Sequence, residues 1–249
     1  MGWECALTLE KLKRFVASAL TFLVMMAVTP LASPGDDHAE KVKEAAAQSV
    51  KAGKVFDEIM HTPDKAVPRD LLAHAKAIAV FPQVIKAAFF VGGEGGRGVV
   101  SLRTNSGWSN PVFFRAGGGS VGPQFGASAT DIILLFMNDE AVSNLMKDRF
   151  ELGAEAAIAA GPVGREASVG TDALMHAEIL SYSRSRGVFA GVNLKGIVIQ
   201  PEDDLNEAVY SKDAHELLTD NRRNVSDSAK GIPAFPQAVS RYTAASTAH

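Results

Sequence analysis

Residues 92–126 read GGEGGRGVVSLRTNSGWSNPVFFRAGGGSVGPQFG and contain 11 of the 22 glycines in the chain. A helix does not survive that density, because each glycine costs about 1 kcal/mol relative to alanine in a helix interior. Short apolar stretches lie between the glycines at 98–102, 112–115 and 120–129, and Asn105-Ser106-Gly107 is a turn signal. This stretch therefore predicts antiparallel β-hairpins.

The segments on either side of the glycine-rich stretch extend the predicted sheet. Residues 77–91 are rich in β-branched and aromatic side chains, and residues 131–137 (DIILLFM) form a continuous apolar run typical of a buried strand. Further strands are predicted at 177–184, 187–193 and 196–200.

Helical patterns surround these strands. Residues 39–61 are rich in Ala, Lys and Glu with apolar residues near helical spacing, which predicts an amphipathic helix. Shorter helices are predicted over 69–76, 139–149, 201–210 and 212–218. Asn138 and Ser211 are predicted to cap the second and the fourth of them. The fold class is therefore α+β, with antiparallel glycine-rich β-sheets, sandwich or barrel-like, flanked by several short helices.

The two ends of the chain differ from its centre. Lys11, Lys13 and Arg14 precede an apolar run over 15–28, the layout of a secretory signal peptide, although an uncleaved anchor remains an alternative. Polar and small residues dominate from Arg222 onward. The predicted organisation is a signal peptide or anchor over 1–33, a single domain over 34–220 and a flexible tail over 221–249.

Composition excludes several functional classes. The 25 basic residues against 28 acidic ones give a net charge of −3, whereas a nucleic-acid-binding protein carries a basic excess, so we expect no nucleic-acid partner. The single cysteine, Cys5, excludes an intramolecular disulfide and a thiolate zinc cluster. The six histidines have no metal-binding spacing, and we expect neither a metal nor a cofactor.

Two glycine motifs resemble catalytic or nucleotide-binding loops. Residues 93–98 and 117–122 match G-x-G-x-x-G, but strand or turn sequence follows each of them where a dinucleotide site needs a helix. Ser120 also lies in a G-x-S-x-G motif, with His176 and His215 downstream, so a serine hydrolase is an alternative. Because Pro123 and Gly126 oppose a helix after Ser120, we favour a glycine-rich hairpin and predict no catalytic residues.

Residues 181–187 (SYSRSRG) alternate, which places Tyr182, Arg184 and Arg186 on one strand face. Two guanidinium groups beside an aromatic ring can clamp a phosphate with paired hydrogen bonds. A solvated sheet face is the simpler interpretation of the same pattern.

The ordered set of motifs resembles the SYLF domain family over about residues 45–220. The motifs are AIAVFP (77–82), GG (92–93), GRGV (96–99), GWSNP (107–111), GSVGPQFG (119–126), GPVGR (161–165) and SYSRSRGVFAGV (181–192). Asn206 and Tyr210 match the closing helix of that family.

The resemblance implies a non-enzymatic lipid-binding module. Eukaryotic members bind phosphoinositides through basic residues and an amphipathic helix at the start of the domain, some fungal members bind actin through neighbouring sequence, and bacterial members are commonly exported or lipid-anchored. We therefore expect an exported protein, periplasmic or membrane-associated in the cell envelope, that binds an anionic phospholipid surface. Its apolar helix face would lie in the interface. The expected lipid-binding residues are Lys41, Lys51, Lys54, Arg165, Arg184, Arg186 and Lys195. An envelope scaffold without lipid affinity, with helix 39–61 covering the sheet and an unknown envelope protein as a possible partner, is the other alternative.

Overall fold

The computed structural model describes residues 34–62, 66–163, 177–185, 188–191, 194–220 and 230–243. The chain divides into two compact units, Met1–Asp37 and His38–His249. The predicted signal peptide or anchor over 1–33 and the residues Arg165 and Arg186 lie outside the described residues. Within the described part, no helix is long and apolar enough to cross a membrane.

Six helices and eight strands make up the described part of the chain, which confirms the predicted α+β class. The helices are α1 (Pro34–Met60), α2 (Arg69–His74), α3 (Asp139–Asn144), α4 (Asp203–Tyr210), α5 (Ala214–Thr219) and α6 (Ala234–Thr243). The strands are β1 (Ala77–Thr104), β2 (Gly107–Trp108), β3 (Val112–Phe136), β4 (Phe150–Glu151), β5 (Ile158–Ala160), β6 (Ile179–Ser185), β7 (Val188–Gly191) and β8 (Val198–Pro201). All eight strands belong to one sheet.

β1 and β3 form one long antiparallel ribbon, where the sequence predicts several short hairpins. Their register runs from Ala77 opposite Phe136 to Val100 opposite Val112. The glycines do not interrupt these strands, because their backbones pair across the ribbon like those of other residues, as Gly93 does with Gly119 and Gly98 with Phe114. The remaining strands extend this ribbon: β6 pairs with the end of β3, β8 with its beginning, and β5 lies parallel to β6.

The ribbon curls until two parts of β1 touch. A Cβ atom added at Gly98 would lie 2.3 Å from Phe81 Cδ1 and 2.6 Å from the Val80 carbonyl oxygen, and one added at Gly96 would lie 2.8 Å from Val84 Cγ2. Only glycine permits so close an approach. Gly96 and Gly98 therefore permit the curvature of the sheet, in addition to their contribution to excluding helix.

Each face of the sheet packs against helices, so the sheet lies between two apolar layers. Side chains such as Ile78 and Ile133 face the layer that contains α1, α2, α4 and α6, whereas Ala79 and Ile132 face the layer that contains α3 and α5. Burial on both faces explains the apolar run at 131–137, since alternate residues of a strand point to opposite sides.

The apolar stripe of α1 belongs to this core. Ala45, Ala52, Phe56 and Ile59 are fully buried, and Val55 is nearly so. The expectation that this stripe lies in a membrane interface is therefore wrong for the folded domain, because the sheet and α6 already cover it. The exposed side of α1 is mostly polar, and among its described residues Val50 is the one large apolar side chain that is exposed, at 50%.

The predicted flexible tail contains a packed helix, so that prediction is wrong for residues 230–243. In α6, Phe235 is fully buried and meets Phe56 edge-on with ring centroids 6.3 Å apart. Ser49 of α1 donates to the Ile232 carbonyl at 2.6 Å and accepts from the Phe235 backbone N–H at 3.1 Å. The sequence of α6 is short and only weakly apolar, and few of its residues are buried, so it gives little indication of a packed helix. The folded domain therefore extends beyond residue 220.

Two helix boundaries also differ from prediction. Ser211 does not cap α5 but ends α4 in the left-handed conformation, at φ 55°, and Asp213 caps α5 by accepting from the Glu216 backbone N–H at 2.8 Å. Asn138 caps α3 as predicted, by accepting from the Ala141 backbone N–H at 2.7 Å. The α3 helix ends at Asn144 rather than 149, because the chain must turn to place Phe150 in a buried strand.

Side chains of α4 lock the closing helix onto the sheet. Buried Asn206 accepts from the Phe113 backbone N–H at 2.8 Å and donates to the Phe113 carbonyl at 3.1 Å, as a neighbouring strand would. The Tyr210 hydroxyl donates to the Pro111 carbonyl at 2.7 Å. These contacts give a structural reason for the two residues of the closing helix that carry the family resemblance.

Candidate functional site

A cavity of about 530 Å³ lies where the exposed side of α1 meets the sheet. Residues from α1, β1, β3 and β6 line it, namely Lys51, Lys54, Val55, Glu58, Gln83, Ala129, Asp131 and Arg184. Three of the residues predicted to bind lipid, Lys51, Lys54 and Arg184, are therefore brought together although they are far apart in the sequence.

Arg184 lies deepest among the three basic residues, with a side chain only 21% exposed. The register of β6 with β3 places it opposite Asp131. Its Nε and Nη2 atoms donate to Asp131 Oδ2 at 3.0 and 2.6 Å, and its Nη1 lies 2.6 Å from Glu58 Oε2 of α1. Burial lowers the pKa of Arg184, but the hydrogen bonds to Asp131 and Glu58 outweigh it and the net shift is upward, so the guanidinium stays charged.

Asp131 also fixes the backbone at the rim of the cavity. Its Oδ1 accepts from the Gln83 backbone N–H at 2.9 Å, and Gln83 has a left-handed φ of 51°. Gln83 lies in the irregularity of β1 between Phe81 and Val84, where an extra residue bends the strand. A non-glycine residue adopts this conformation only when its surroundings stabilise it, and the buried carboxylate of Asp131 supplies that support.

Lys51 and Lys54 are exposed on α1, and residues three apart lie on the same side of a helix. Lys54 Nζ lies 3.8 Å from Glu58 Oε1, a loose contact between side chains that are 76% and 42% exposed. Lys51, Lys54 and Arg184 against Glu58 and Asp131 leave the lining of the cavity with one net positive charge. A local basic site therefore exists on a chain whose net charge is −3.

An exposed apolar side chain lies beside the cavity. Ile85 is 58% exposed and pairs across the ribbon with Ala129, which lines the cavity. The site thus combines cationic groups with an apolar rim.

Comparison with known proteins identifies the family. A family model described as "Las17-binding protein actin regulator", Ysc84, matches residues 117–238. SH3 domain-containing YSC84-like protein 1 of Homo sapiens is 33% identical over 183 residues, 71% of this chain and 53% of that protein. The same-named protein of Xenopus laevis is 32% identical over 181 residues, 69% of this chain and 54% of that protein. The chain belongs to the SYLF family.

The family resemblance stated from the motifs is thereby confirmed. The SYLF chain is also 31% identical over 175 residues to LAS seventeen-binding protein 3 of Saccharomyces cerevisiae, which is 69% of this chain and 37% of that protein. It spans about half the length of the animal relatives it matches. The segment matched by the SYLF model contains Asp131 and Arg184, whereas Lys51, Lys54 and Glu58 precede it.

Two further predicted lipid-binding residues of the SYLF chain, Lys41 and Lys195, do not line this cavity. Lys41 is half-buried on α1, about 15 Å along the helix from Lys51 at 1.5 Å per residue. Lys195 is exposed in the turn before β8, with its stem against Gly153. Lys41 and Lys195 therefore belong to other parts of the surface.

The residues that sequence reasoning missed are Glu58, Gln83 and Asp131. Asp131 alone carried a signal, since it is the only charged residue of the DIILLFM run and opens a strand that is otherwise apolar. Such a carboxylate needs a buried partner, and this requirement could have directed the search to a cation in a neighbouring strand. Nothing in the local sequence distinguishes Glu58 or Gln83 from other surface residues.

The hydrolase interpretation of Ser120 does not fit the backbone. Ser120 lies within β3 and pairs with Gly92 of β1, whereas a nucleophile elbow is a sharp turn between a strand and a helix. His215 lies exposed on α5, and His176 is outside the described residues. The same strand geometry excludes a dinucleotide loop at 93–98 and 117–122, because no helix follows either motif. Among the described residues there is no group of three or more His, Cys, Asp or Glu side chains that could hold a metal ion.

Proposed function

We propose that this SYLF protein is a binding module for anionic phospholipid surfaces, and that the cavity between α1 and the sheet receives phosphate groups. The observation that carries the proposal is the convergence of Lys51, Lys54 and Arg184 on one cavity beside the exposed Ile85. Ammonium and guanidinium groups bind phosphate by charge and hydrogen bonds, and an apolar side chain at the rim can enter the boundary between head groups and acyl chains.

The polar side of α1 makes this contact in the proposal. Its apolar stripe packs in the core, so the helix contributes Lys51 and Lys54 rather than apolar area. A lysine near an anionic membrane surface contributes about 1 kcal/mol of binding free energy, so a few cations suffice for reversible association. The net charge of −3 gives the molecule an average field that repels an anionic surface, so a local basic site has to supply the attraction.

The test is flotation of the full-length protein with vesicles of phosphatidylcholine alone and vesicles that also contain phosphatidylglycerol. We expect binding to the anionic vesicles only, weakened between 0.05 and 0.5 M salt because exposed charge contacts are screened. K51E/K54E should lose roughly 30-fold or more in affinity at about 1 kcal/mol per lysine.

The matched control is K43E/K230E, which makes the same change in net charge at two exposed lysines that do not line the cavity. It should retain most of the binding. Equal losses in the two double variants would mean that overall charge, and not the cavity, determines membrane association. Equal binding to both kinds of vesicle would overturn the proposal.

We also propose that residues 1–33 direct export to the cell envelope. The support is the sequence alone, a basic segment followed by an apolar run. Cell fractionation should find the protein in the envelope, and the intact mass should show whether residues 1–33 are removed. Recovery with an intact N-terminus among cytosolic proteins would contradict export.

A scaffold that binds a protein partner is the second candidate. The burial of the apolar stripe of α1 favours it, because covering the sheet then accounts for this helix without a membrane. One relative is named LAS seventeen-binding protein 3, which supports a protein partner for some members. Absence of vesicle binding at both salt concentrations would make this candidate the better one. In either case we propose binding rather than catalysis, and a fluorophosphonate probe should leave Ser120 unlabelled.

A further inference from the structure

The cationic group deepest in the cavity is already occupied by carboxylates. Arg184 donates to Asp131 through Nε and Nη2, and its Nη1 lies 2.6 Å from Glu58 Oε2. A carboxylate and a phosphate present similar oxygen pairs to a guanidinium group, so each can occupy the position of the other. A phosphate that forms the paired hydrogen bonds of a guanidinium clamp with Arg184 therefore competes with one of the two carboxylates.

The two carboxylates differ in how firmly they are held. Asp131 is 11% exposed, and its second oxygen accepts from the Gln83 backbone N–H, so displacing it would also break the bend in β1. Glu58 is 42% exposed, comes from a different element and has Lys54 3.8 Å from its other oxygen. Rotation of the Glu58 side chain alone can thus break its contact with Arg184, and the carboxylate then still lies near Lys54.

We propose that Glu58 is a displaceable gate, an internal carboxylate that occupies the phosphate position on Arg184 until a phosphate group replaces it. This inference rests on the proposed function, since it concerns the same cavity. The gate lowers the affinity of the site for any anion, because displacing Glu58 from Arg184 costs free energy. It favours ligands whose phosphate also reaches Lys51 and Lys54, because those contacts offset that cost.

The test compares Glu58→Gln with the wild type and with Glu140→Gln in the full chain. E58Q keeps a hydrogen-bond acceptor near Arg184 but removes the charge, whereas E140Q removes one charge from an exposed position outside the cavity. The probes are inorganic pyrophosphate, followed by calorimetry, and vesicles that contain phosphatidylglycerol, followed by flotation. Removing one like charge at this range should tighten binding by roughly three- to tenfold in E58Q, with no change in E140Q.

The outcomes separate the gate from the proposed function. Tighter binding of E58Q to both probes supports both the gate and the proposed function. Tighter binding of E58Q to pyrophosphate alone supports the gate but assigns the site to a soluble phosphate compound instead of a lipid. Vesicle binding that depends on Lys51 and Lys54 without any gain in E58Q overturns the gate and leaves the proposed function. If neither the wild type nor E58Q binds pyrophosphate or the anionic vesicles, the gate and the proposed function are both overturned.

A second measurement needs no variant and so does not depend on how E58Q folds. Hydrogen exchange of the wild-type protein should show faster exchange over residues 55–60 when pyrophosphate is added, because this part of α1 loses the ion pair between Glu58 and Arg184. Unchanged or slower exchange there at saturating pyrophosphate would contradict the gate.

Discussion

At the scale of single residues, the ion pair between Arg184 and Asp131 joins two neighbouring strands within the candidate site. The Asp131 side chain is 11% exposed and accepts hydrogen bonds from both Arg184 and the Gln83 backbone. Removing one partner of a buried ion pair destabilises a protein more than replacing both partners by apolar residues, because the remaining charge is left without compensation.

We therefore predict that Asp131→Asn destabilises the protein. The asparagine oxygen can still accept from the Gln83 N–H, so the change is confined to the contact with Arg184, where an amide NH2 group replaces the charged oxygen that accepts its hydrogen bonds. The loss should be about 2 kcal/mol, below the 3–5 kcal/mol of a fully buried pair, because Glu58 still faces Arg184 and the guanidinium is partly exposed. Urea unfolding measures it. Asp148→Asn, at an exposed position, should stay within about 0.5 kcal/mol, and an equal effect of the two would contradict the argument.

Glu202 is a second buried charge, at the start of α4. Its Oε1 lies 2.8 Å from Arg97 Nε, and Arg97 also contacts Glu44 of α1. Burial raises the pKa of Glu202 above its ordinary value of 4.5, and the charges of Arg97 and Arg115 lower it only in part. The folded protein therefore binds a proton at the Glu202 carboxylate more tightly than the unfolded chain does.

The consequence is a contribution to stability that increases as pH falls. Between the raised pKa and 4.5, the folded state holds more protons than the unfolded state, so protonation of Glu202 stabilises the fold. Glu202→Gln, which mimics the protonated form, should be most stabilising relative to the wild type at neutral pH, with the difference shrinking toward pH 4.5. Thermal unfolding across this range measures it. The control is Glu207→Gln, at an exposed position of the same helix, and a difference that does not vary with pH would disprove the assignment.

At the scale of elements, the curvature of the β1–β3 ribbon depends on the close approach of Gly98 to Phe81. A Cβ atom at residue 98 would lie 2.3 Å from the Phe81 ring and 2.6 Å from a backbone oxygen, neither of which has room to withdraw. Gly119 lies in the same ribbon, and nothing lies within 4 Å of its Cβ position.

We predict that Gly98→Ala destabilises the protein by about 2 kcal/mol, within the usual range for overpacking a core. Gly119→Ala should change the stability by no more than about 0.5 kcal/mol. Chemical denaturation of the two variants measures the difference. Equal stabilities would show that the ribbon does not need to curl as tightly as described.

The C-terminal helix α6 is the second element whose role only the folded structure reveals. Phe235 is fully buried against Phe56, and Gln237 two residues later is exposed. Removing a buried phenylalanine leaves a cavity as well as losing apolar contact.

Phe235→Ala should therefore cost about 3–5 kcal/mol. Gln237→Ala, on the exposed side of the same helix, should have little effect. The unfolding midpoint in urea distinguishes them. A neutral Phe235→Ala would mean that residues 230–243 are dispensable, as the prediction of a flexible tail implies.

At the scale of the whole molecule, one sheet carries two apolar layers, and the basic cavity is lined by α1 and by strands β1, β3 and β6. The net charge of −3 conceals this site, because Lys51 and Lys54 share α1 with acidic residues and Arg184 lies on a strand. Charge summed over a chain thus gives the sign of its average field and not the location of a binding site.

The sequence by itself determined the α+β class, the long helix, the buried 131–137 strand, the turn at 105–107 and the Asn138 cap. Each of these follows from local chemistry: glycine density, alternation, an apolar run or a side chain that can accept at a helix start. The ordered motifs determined the family in the same way, because they record backbone positions such as Gly98 where no other residue fits.

Only the tertiary structure decided that the glycine-rich stretch is one curled ribbon, that α6 completes the core, and that the apolar stripe of α1 is buried. It also decided that Lys51, Lys54 and Arg184 share a cavity with Glu58 and Asp131, while Lys41 and Lys195 lie elsewhere. The physical reason is that strand register and helix packing act between residues far apart in the sequence, 53 positions for Asp131 and Arg184 and 183 for Ser49 and Ile232. A local pattern carries no record of such a distant partner.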